Sequence, residues 1–225
     1  MPKTHPANSR LDPGLRHLKR QLIEVGRLIY ERKYTTATDG NLSARTTTGK
    51  IVITKSGVCK GRLTDADLLV CDLTEQAVEI PGISSEYRMH LAVYDNRSDL
   101  NAVIHTHPPF AVALSLAGIT LDRDILPEVA MQFGDIPTAR FAPPCSGMGA
   151  EAVAELIRDC NAMILDRHGV LTAGHDLWDT FYKLERLEFA AKVTWLARMT
   201  GALRKLTESE SALIEEAAKN YLNKP

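Results

Sequence analysis

The chain has 225 residues, 44% of them hydrophobic and 24% charged, with a formal net charge of −1. One core suits this size, and the near-neutral balance gives no general attraction for nucleic acid or an anionic membrane surface. No apolar run approaches the roughly 20 residues of a membrane span, and the opening MPKTHPANSR lacks an apolar signal core, which points away from secretion and toward the cytoplasm.

Residues 1–12 read as a flexible tail, rich in Pro, Asn and Ser. Asp12 then precedes Pro13, a capping residue before the residue best suited to a first helical position. Leu15, Leu18, Leu22, Val25, Leu28 and Ile29 follow at helical spacing and predict an amphipathic helix over 13–32. A polar loop from Thr35 holds the Gly40-Asn41 turn signal, and 41–45 with 50–54 read as a hairpin. Segments 68–73 and 77–80 are expected strands, and Ser84 or Ser85 is the expected cap of a helix reaching Asn96. A short buried strand at 102–105 precedes a helix at 109–117.

Further along, 151–158 reads as helix, and 162–165 with 170–173 as strands around an Arg-His-Gly turn. A long helix over 176–199 is closed by Gly201, and Thr207 with Glu210 forms a capping box for a last helix. Hairpins mixed with helices at both ends indicate α+β, or a layered α/β sandwich with a largely antiparallel sheet. The whole of 1–225 is expected to form one domain. Cys59, Cys71, Cys145 and Cys160 have no CxxC spacing, so they are expected to be buried or half-buried free thiols in a reducing compartment.

The segment from Ala102 to Phe110, AVIHTHPPF, ends an apolar run in two histidines, His105 and His107. Residues i and i+2 of a strand share a face, so both imidazoles can approach one ion. Neutral imidazole suits zinc, and three protein ligands with a vacant position define a catalytic site. His168, between two strand-like runs, is the natural third ligand, although the residue taken alone reads better as a polar hairpin tip. Glu86 follows two serines at a helix start, which suits the helix dipole but also suits a general acid/base beside a metal. His90 shares a helix face with Glu86 and is expected to be exposed. His5, His17 and His175 have no supporting context. The turns Gly40-Asn41 and Thr54-Lys55-Ser56-Gly57 carry the backbone and side-chain donors that a phosphate or carboxylate pocket requires.

Taken together, Gly40-Asn-Leu-Ser43, Ile53-Thr-Lys-Ser-Gly57, Ser84-Ser-Glu86, Val103-Ile-His-Thr-His107 and Arg167-His-Gly169 resemble the class II aldolase/adducin family, in its order and over roughly residues 15–200. The resemblance implies a three-layer α/β/α sandwich and a homotetramer with active sites near subunit interfaces. It implies zinc held by His105, His107 and His168, with manganese, iron or cobalt as substitutes, and Glu86 as the carboxylate that binds the free metal and serves as acid/base. It places Asn41, Ser56, Gly57, Ser84 and Ser85 at phosphate-binding positions. Lys55 stands where such aldolases often carry Pro or a small residue, which makes the pocket more cationic. The tyrosine proton donor of the fuculose enzymes has no clear counterpart here; Glu128 and Tyr221 are the candidates in its place.

The implied reaction is retro-aldol cleavage of a small sugar phosphate, a ketose 1-phosphate, through a metal-stabilised enediolate. Working at neutral pH, Glu86 would need a pKa above the ordinary value of about 4.3. Epimerases on this scaffold usually carry Asp where Glu86 stands, which favours a lyase. The alternatives are decarboxylation of a β-keto acid, a dehydratase, and a non-catalytic adducin-like assembly module, which lacks the metal histidines.

Overall fold

The computed structural model describes residues 13–222, with side chains as far as Lys219. The tail expected at 1–12 lies outside the described residues.

Helix α1 (Pro13–Glu31) buries Leu22, Val25 and Ile29, the stripe that its periodicity predicts. The hairpin β1 (Asn41–Arg45) and β2 (Ile51–Thr54) follows, then β3 (Leu68–Cys71). Next come α2 (Tyr87–Asn96), β4 (Ala102–Thr106), α3 (Pro109–Leu116) and α4 (Pro127–Gln132). The chain continues through β5 (Thr138–Ala139), α5 (Gly147–Leu156), β6 (Ala162–Leu165) and β7 (Gly169–Gly174). It closes with α6 (Leu177–Met199) and α7 (Glu208–Leu222).

The strands form one seven-stranded sheet in the order β3-β2-β1-β4-β7-β6-β5. Every neighbouring pair is antiparallel except β5 with β6. Alternation along β4 explains the layers. Ala102 and Ile104 pack with α1, α3 and α6 on one face, while Val103 packs with α2 and α5 on the other. The mixed α/β architecture, with helices on both faces of a largely antiparallel sheet, is the one expected. Among the described residues no helix is long and apolar enough to cross a membrane.

Local readings differ in four places. Residues 77–80 are not a strand: Glu75–Glu79 curls into a 3-10 turn. The buried Tyr87 hydroxyl accepts from the Thr74 N–H at 3.1 Å and donates to the Thr74 carbonyl at 3.0 Å, which holds that segment against α2. Neither serine caps α2; its N-cap is Glu86, with no side-chain cap bond, and Ser84 Oγ instead accepts from the Glu86 N–H at 3.3 Å. Helix α5 starts at Gly147, one turn earlier than its apolar pattern, and α4 and the two-residue β5 had no sequence signal. The capping box holds: Thr207 N–H donates to Glu210 at 2.8 Å, and Glu210 N–H to Thr207 at 3.2 Å.

Candidate metal and active site

His105 is fully buried and sits next to the end of β4. Its Nδ1 lies 2.9 Å from the Val170 carbonyl oxygen on the neighbouring strand. A carbonyl only accepts, so Nδ1 carries a proton and Nε2 is the ring nitrogen left to face the site. His107 leaves the strand where Pro108 and Pro109 begin α3, and its N–H donates to the Tyr34 carbonyl at 2.9 Å. Its Nε2 comes within 3.1 Å of His105 Nε2.

His168 arrives from the β6–β7 turn. Arg167 takes a left-handed φ of 55° there, its N–H donating to Ser115 Oγ at 2.7 Å, so the next ring swings inward. The three rings form a near-equilateral triangle with centroids 4.9, 4.8 and 4.9 Å apart.

Glu86 lies above this triangle, 9% exposed. Its Oε2 is 3.2 Å from His105 Nε2 and its Oε1 3.4 Å from His168 Nε2. Asn41 Nδ2 donates to Oε2 at 2.9 Å. Burial works to raise the Glu86 pKa. The charge and hydrogen bond of His105, with the Asn41 amide and His168, outweigh it and hold the carboxyl well below the usual range. The raised pKa expected of an acid/base is therefore not a property of this arrangement.

Burial, then the neighbouring His105, lowers His107 to about 4 and depresses His168 as well. An ionised carboxylate beside His107 and His168 held neutral is the protonation state that metal ligands need.

The donor set fits a divalent cation. The nearest ligand atoms of the three histidines lie within 4.8 Å of one another. Zinc–nitrogen bonds of about 2.0–2.1 Å in a tetrahedron place neighbouring donors about 3.3 Å apart. The His105–His107, His105–Glu86 and His168–Glu86 separations of 3.1, 3.2 and 3.4 Å match that edge.

A cavity of about 420 Å³ opens beside the triangle, lined by Asn41, Lys55, Ser56, Gly57, Ser84, Ser85, Glu86, His107 and His168 among others. The structure thus brings all the candidate anion-binding residues to one pocket. Glu128 is not among them: it is exposed on the first turn of α4, in separate clefts shared with Arg186. The side chain of Tyr221 lies outside those described.

Three residues were missed or misplaced in the sequence. His90 is fully buried rather than exposed, with Nε2 at 2.5 Å from Asn41 Oδ1. Lys60 is 1% exposed on the pocket wall, its ammonium donating to the Thr38 and Val58 carbonyls at 2.7 Å each, and burial lowers its pKa to about 8. Cys145 is exposed rather than buried, beside Ser85 at 3.1 Å. The helical offset of His90 from Glu86 was the one available signal; Lys60 had none.

Residues 20–195 match the Class II Aldolase and Adducin N-terminal domain, and the chain belongs to that family. It is similar to L-fuculose phosphate aldolase of Methanococcus maripaludis, 35% identical over 177 residues that cover 78% of this chain and 95% of that one. It is also similar to 3-oxo-tetronate 4-phosphate decarboxylase of Cupriavidus necator, 31% identical over 183 residues, with coverage of 80% and 83%. Among solved structures, L-fuculose-1-phosphate aldolase of Thermus thermophilus superposes with a TM-score of 0.75 at 31% identity, covering 83% of this chain and 97% of that one. The chain is an enzyme of the class II, metal-dependent aldolase and lyase type.

Proposed function

We propose that this enzyme cleaves a carbon–carbon bond in a small sugar phosphate, resembling an L-fuculose-1-phosphate-like ketose 1-phosphate, by retro-aldol chemistry. The reading rests on one observation: Glu86 touches both His105 and His168 at the mouth of a pocket rich in hydroxyl and backbone donors. His105, His107 and His168, with Glu86 in the free enzyme, would hold a zinc ion, or manganese, iron or cobalt. When bound, such a cation stabilises the negative charge that develops on substrate oxygens as the bond breaks.

The remaining work falls to the chain. Ser56, Gly57, Ser84 and Ser85 would bind the phosphate through hydroxyl and N–H donors, with Lys55 adding charge. Glu86 would leave the histidine triangle as substrate enters, losing the contacts that depress its pKa. Still buried, it would then take up the proton that the substrate hydroxyl loses as the bond breaks and deliver it to the carbon left behind. Glu128 and Tyr221 could complete proton transfer only from a neighbouring subunit or after rearrangement. Exposed Phe189 and Met199 on α6 and Leu116 on α3 favour the homotetramer that the family resemblance implies. We place this single-domain assembly in the cytoplasm, consistent with four free thiols.

A second reading is favoured by the cationic pocket. Lys55 and the buried Lys60 line the same cavity and suit a carboxylate as well as a phosphate. Decarboxylation of a β-keto acid also leaves an enolate for a cation to stabilise, and a decarboxylase is among the relatives.

The zinc- or manganese-loaded enzyme should be offered ketose 1-phosphates and β-keto acids while dihydroxyacetone phosphate and carbon dioxide are followed. Release of dihydroxyacetone phosphate supports the aldolase; carbon dioxide alone supports the decarboxylase. Glu86→Gln should keep the metal and lose about two orders of magnitude or more in kcat. Full activity in a rigorously metal-free preparation sinks both readings.

A further inference from the structure

Beneath the site runs a line of buried polar groups that the chemistry above does not use. Tyr94, Ser43, His90 and Asn41 are all buried. Tyr94 Oη lies 2.8 Å from Ser43 Oγ, and Ser43 Oγ lies 2.6 Å from His90 Nδ1. His90 Nε2 is 2.5 Å from Asn41 Oδ1, and Asn41 Nδ2 is 2.9 Å from Glu86 Oε2. The line passes from α2 to β1 twice, through Tyr94 and Ser43 and then His90 and Asn41, before it reaches Glu86, the residue that caps α2.

Its proton positions follow from the Glu86 end. An ionised carboxylate only accepts, so Asn41 must turn its amide N–H toward Glu86 and its oxygen toward His90. That oxygen also only accepts, so His90 carries its proton on Nε2. Burial keeps the imidazole neutral, with a pKa lowered to about 3. Nδ1 is then a bare acceptor and takes the Ser43 hydroxyl proton, and Ser43 in turn accepts from Tyr94. Every donor in the line points toward Glu86. An amide does not pass protons along as an imidazole does, so the line orients the carboxylate rather than conducting to it.

We propose that His90 is a positioning residue: held as the neutral Nε2–H tautomer by Ser43 and Tyr94, it fixes the flip of the Asn41 amide, which in turn holds Glu86 between His105 and His168. With His90 unable to donate, the buried Asn41 oxygen loses its donor and Glu86 alone is left to hold the amide in place. The assignment gives Asn41 a task besides anion binding: one of its two amide hydrogens is committed to Glu86. The catalytic consequence rests on Glu86 being the acid/base; the tautomer does not.

Two measurements on the zinc-loaded full chain test this. In protein labelled with nitrogen-15 histidine, long-range proton–nitrogen spectra should show His90 as the Nε2–H tautomer, its signals assigned by their loss in His90→Gln. An Nδ1–H or doubly protonated His90 would overturn the proposal. His90→Phe, which fills the space but cannot donate, should lower kcat for whichever cleavage the wild type performs by about ten- to a hundredfold. KM should stay within about twofold and bound zinc unchanged. His90→Gln, which restores a donor to Asn41, should recover most of kcat. Wild-type kcat in His90→Phe, or a loss shared equally by zinc content and KM, would refute positioning. If Glu86→Gln is fully active while the tautomer is as expected, the acid/base reading fails and the orientation of Asn41 stands.

Discussion

Gly169 lies against the ring of His107. A Cβ built on Gly169 would stand 2.6 Å from His107 Cδ2 and 2.4 Å from the Thr106 carbonyl oxygen, with His105 Cε1 at 3.1 Å. The restriction here is space rather than φ: β7 can approach the two ligand histidines only where it has no side chain.

Gly169→Ala should therefore push β7 and the His107 ring apart. Over-packing of a rigid backbone contact costs about 1–3 kcal/mol, and the displaced ring should weaken zinc binding more than it weakens folding. Thermal unfolding with and without zinc checks this. A variant with wild-type zinc affinity would show that the ring moves freely.

Removing the metal should also lower stability, because a cation that binds only the folded triangle stabilises it by mass action. Zinc at about 1,000 times its Kd contributes ~4 kcal/mol, which for a chain of this size raises Tm by about 10 °C. Differential scanning calorimetry of chelated and reloaded protein should show that shift, and His107→Ala should abolish it. An equal shift in His107→Ala would place the stabilising ion elsewhere.

The site was more legible in the sequence than the packing around it. His105 and His107 could be paired because strand periodicity alone puts i and i+2 on one face. His168 and Glu86 required the resemblance, since no local rule brings a hairpin turn and a helix start to one strand end. His90 was misjudged because its environment comes from Asn41 and Ser43, 49 and 47 positions away. Lys60 was invisible for the same reason: a lysine in a Gly-containing turn reads as solvated until Thr38 and Val58 are seen to hold its ammonium. The strand expected at 77–80 failed because the Tyr87 hydroxyl, not β propensity, decides how that segment bends.

Glu188 on α6 is another tertiary contribution, and it bears on His107. Its carboxylate, 5% exposed, accepts the Phe110 and Ala111 N–H groups at 2.9 Å each, serving the first turn of α3 from another helix. Glu188→Ala leaves both amides without that partner and should cost about 1–3 kcal/mol. Because α3 begins two residues after His107, zinc affinity should fall with it. Chemical denaturation and zinc titration measure the two effects. Loss of stability with unchanged zinc binding would separate α3 from the ligand loop.

Lys60 gives a pH-dependent test of the anion pocket. Burial lowers its pKa from 10.5 to about 8, so the native ammonium loses its proton in a range where the unfolded lysine keeps it. Between those values the unfolded state binds more protons, so this residue makes stability rise with pH, a penalty relieved rather than a bond broken. Substrate binding should move the opposite way, because the pocket loses positive charge as pH rises through about 8. KM for an anionic substrate should increase about fivefold between pH 7 and 9, equivalent to ~1 kcal/mol of through-space attraction between the buried ammonium and the anion. Lys60→Met should show a raised KM with that rise removed. Steady-state kinetics of both proteins across the interval decides it, and a parallel rise in the variant would move the titrating group elsewhere.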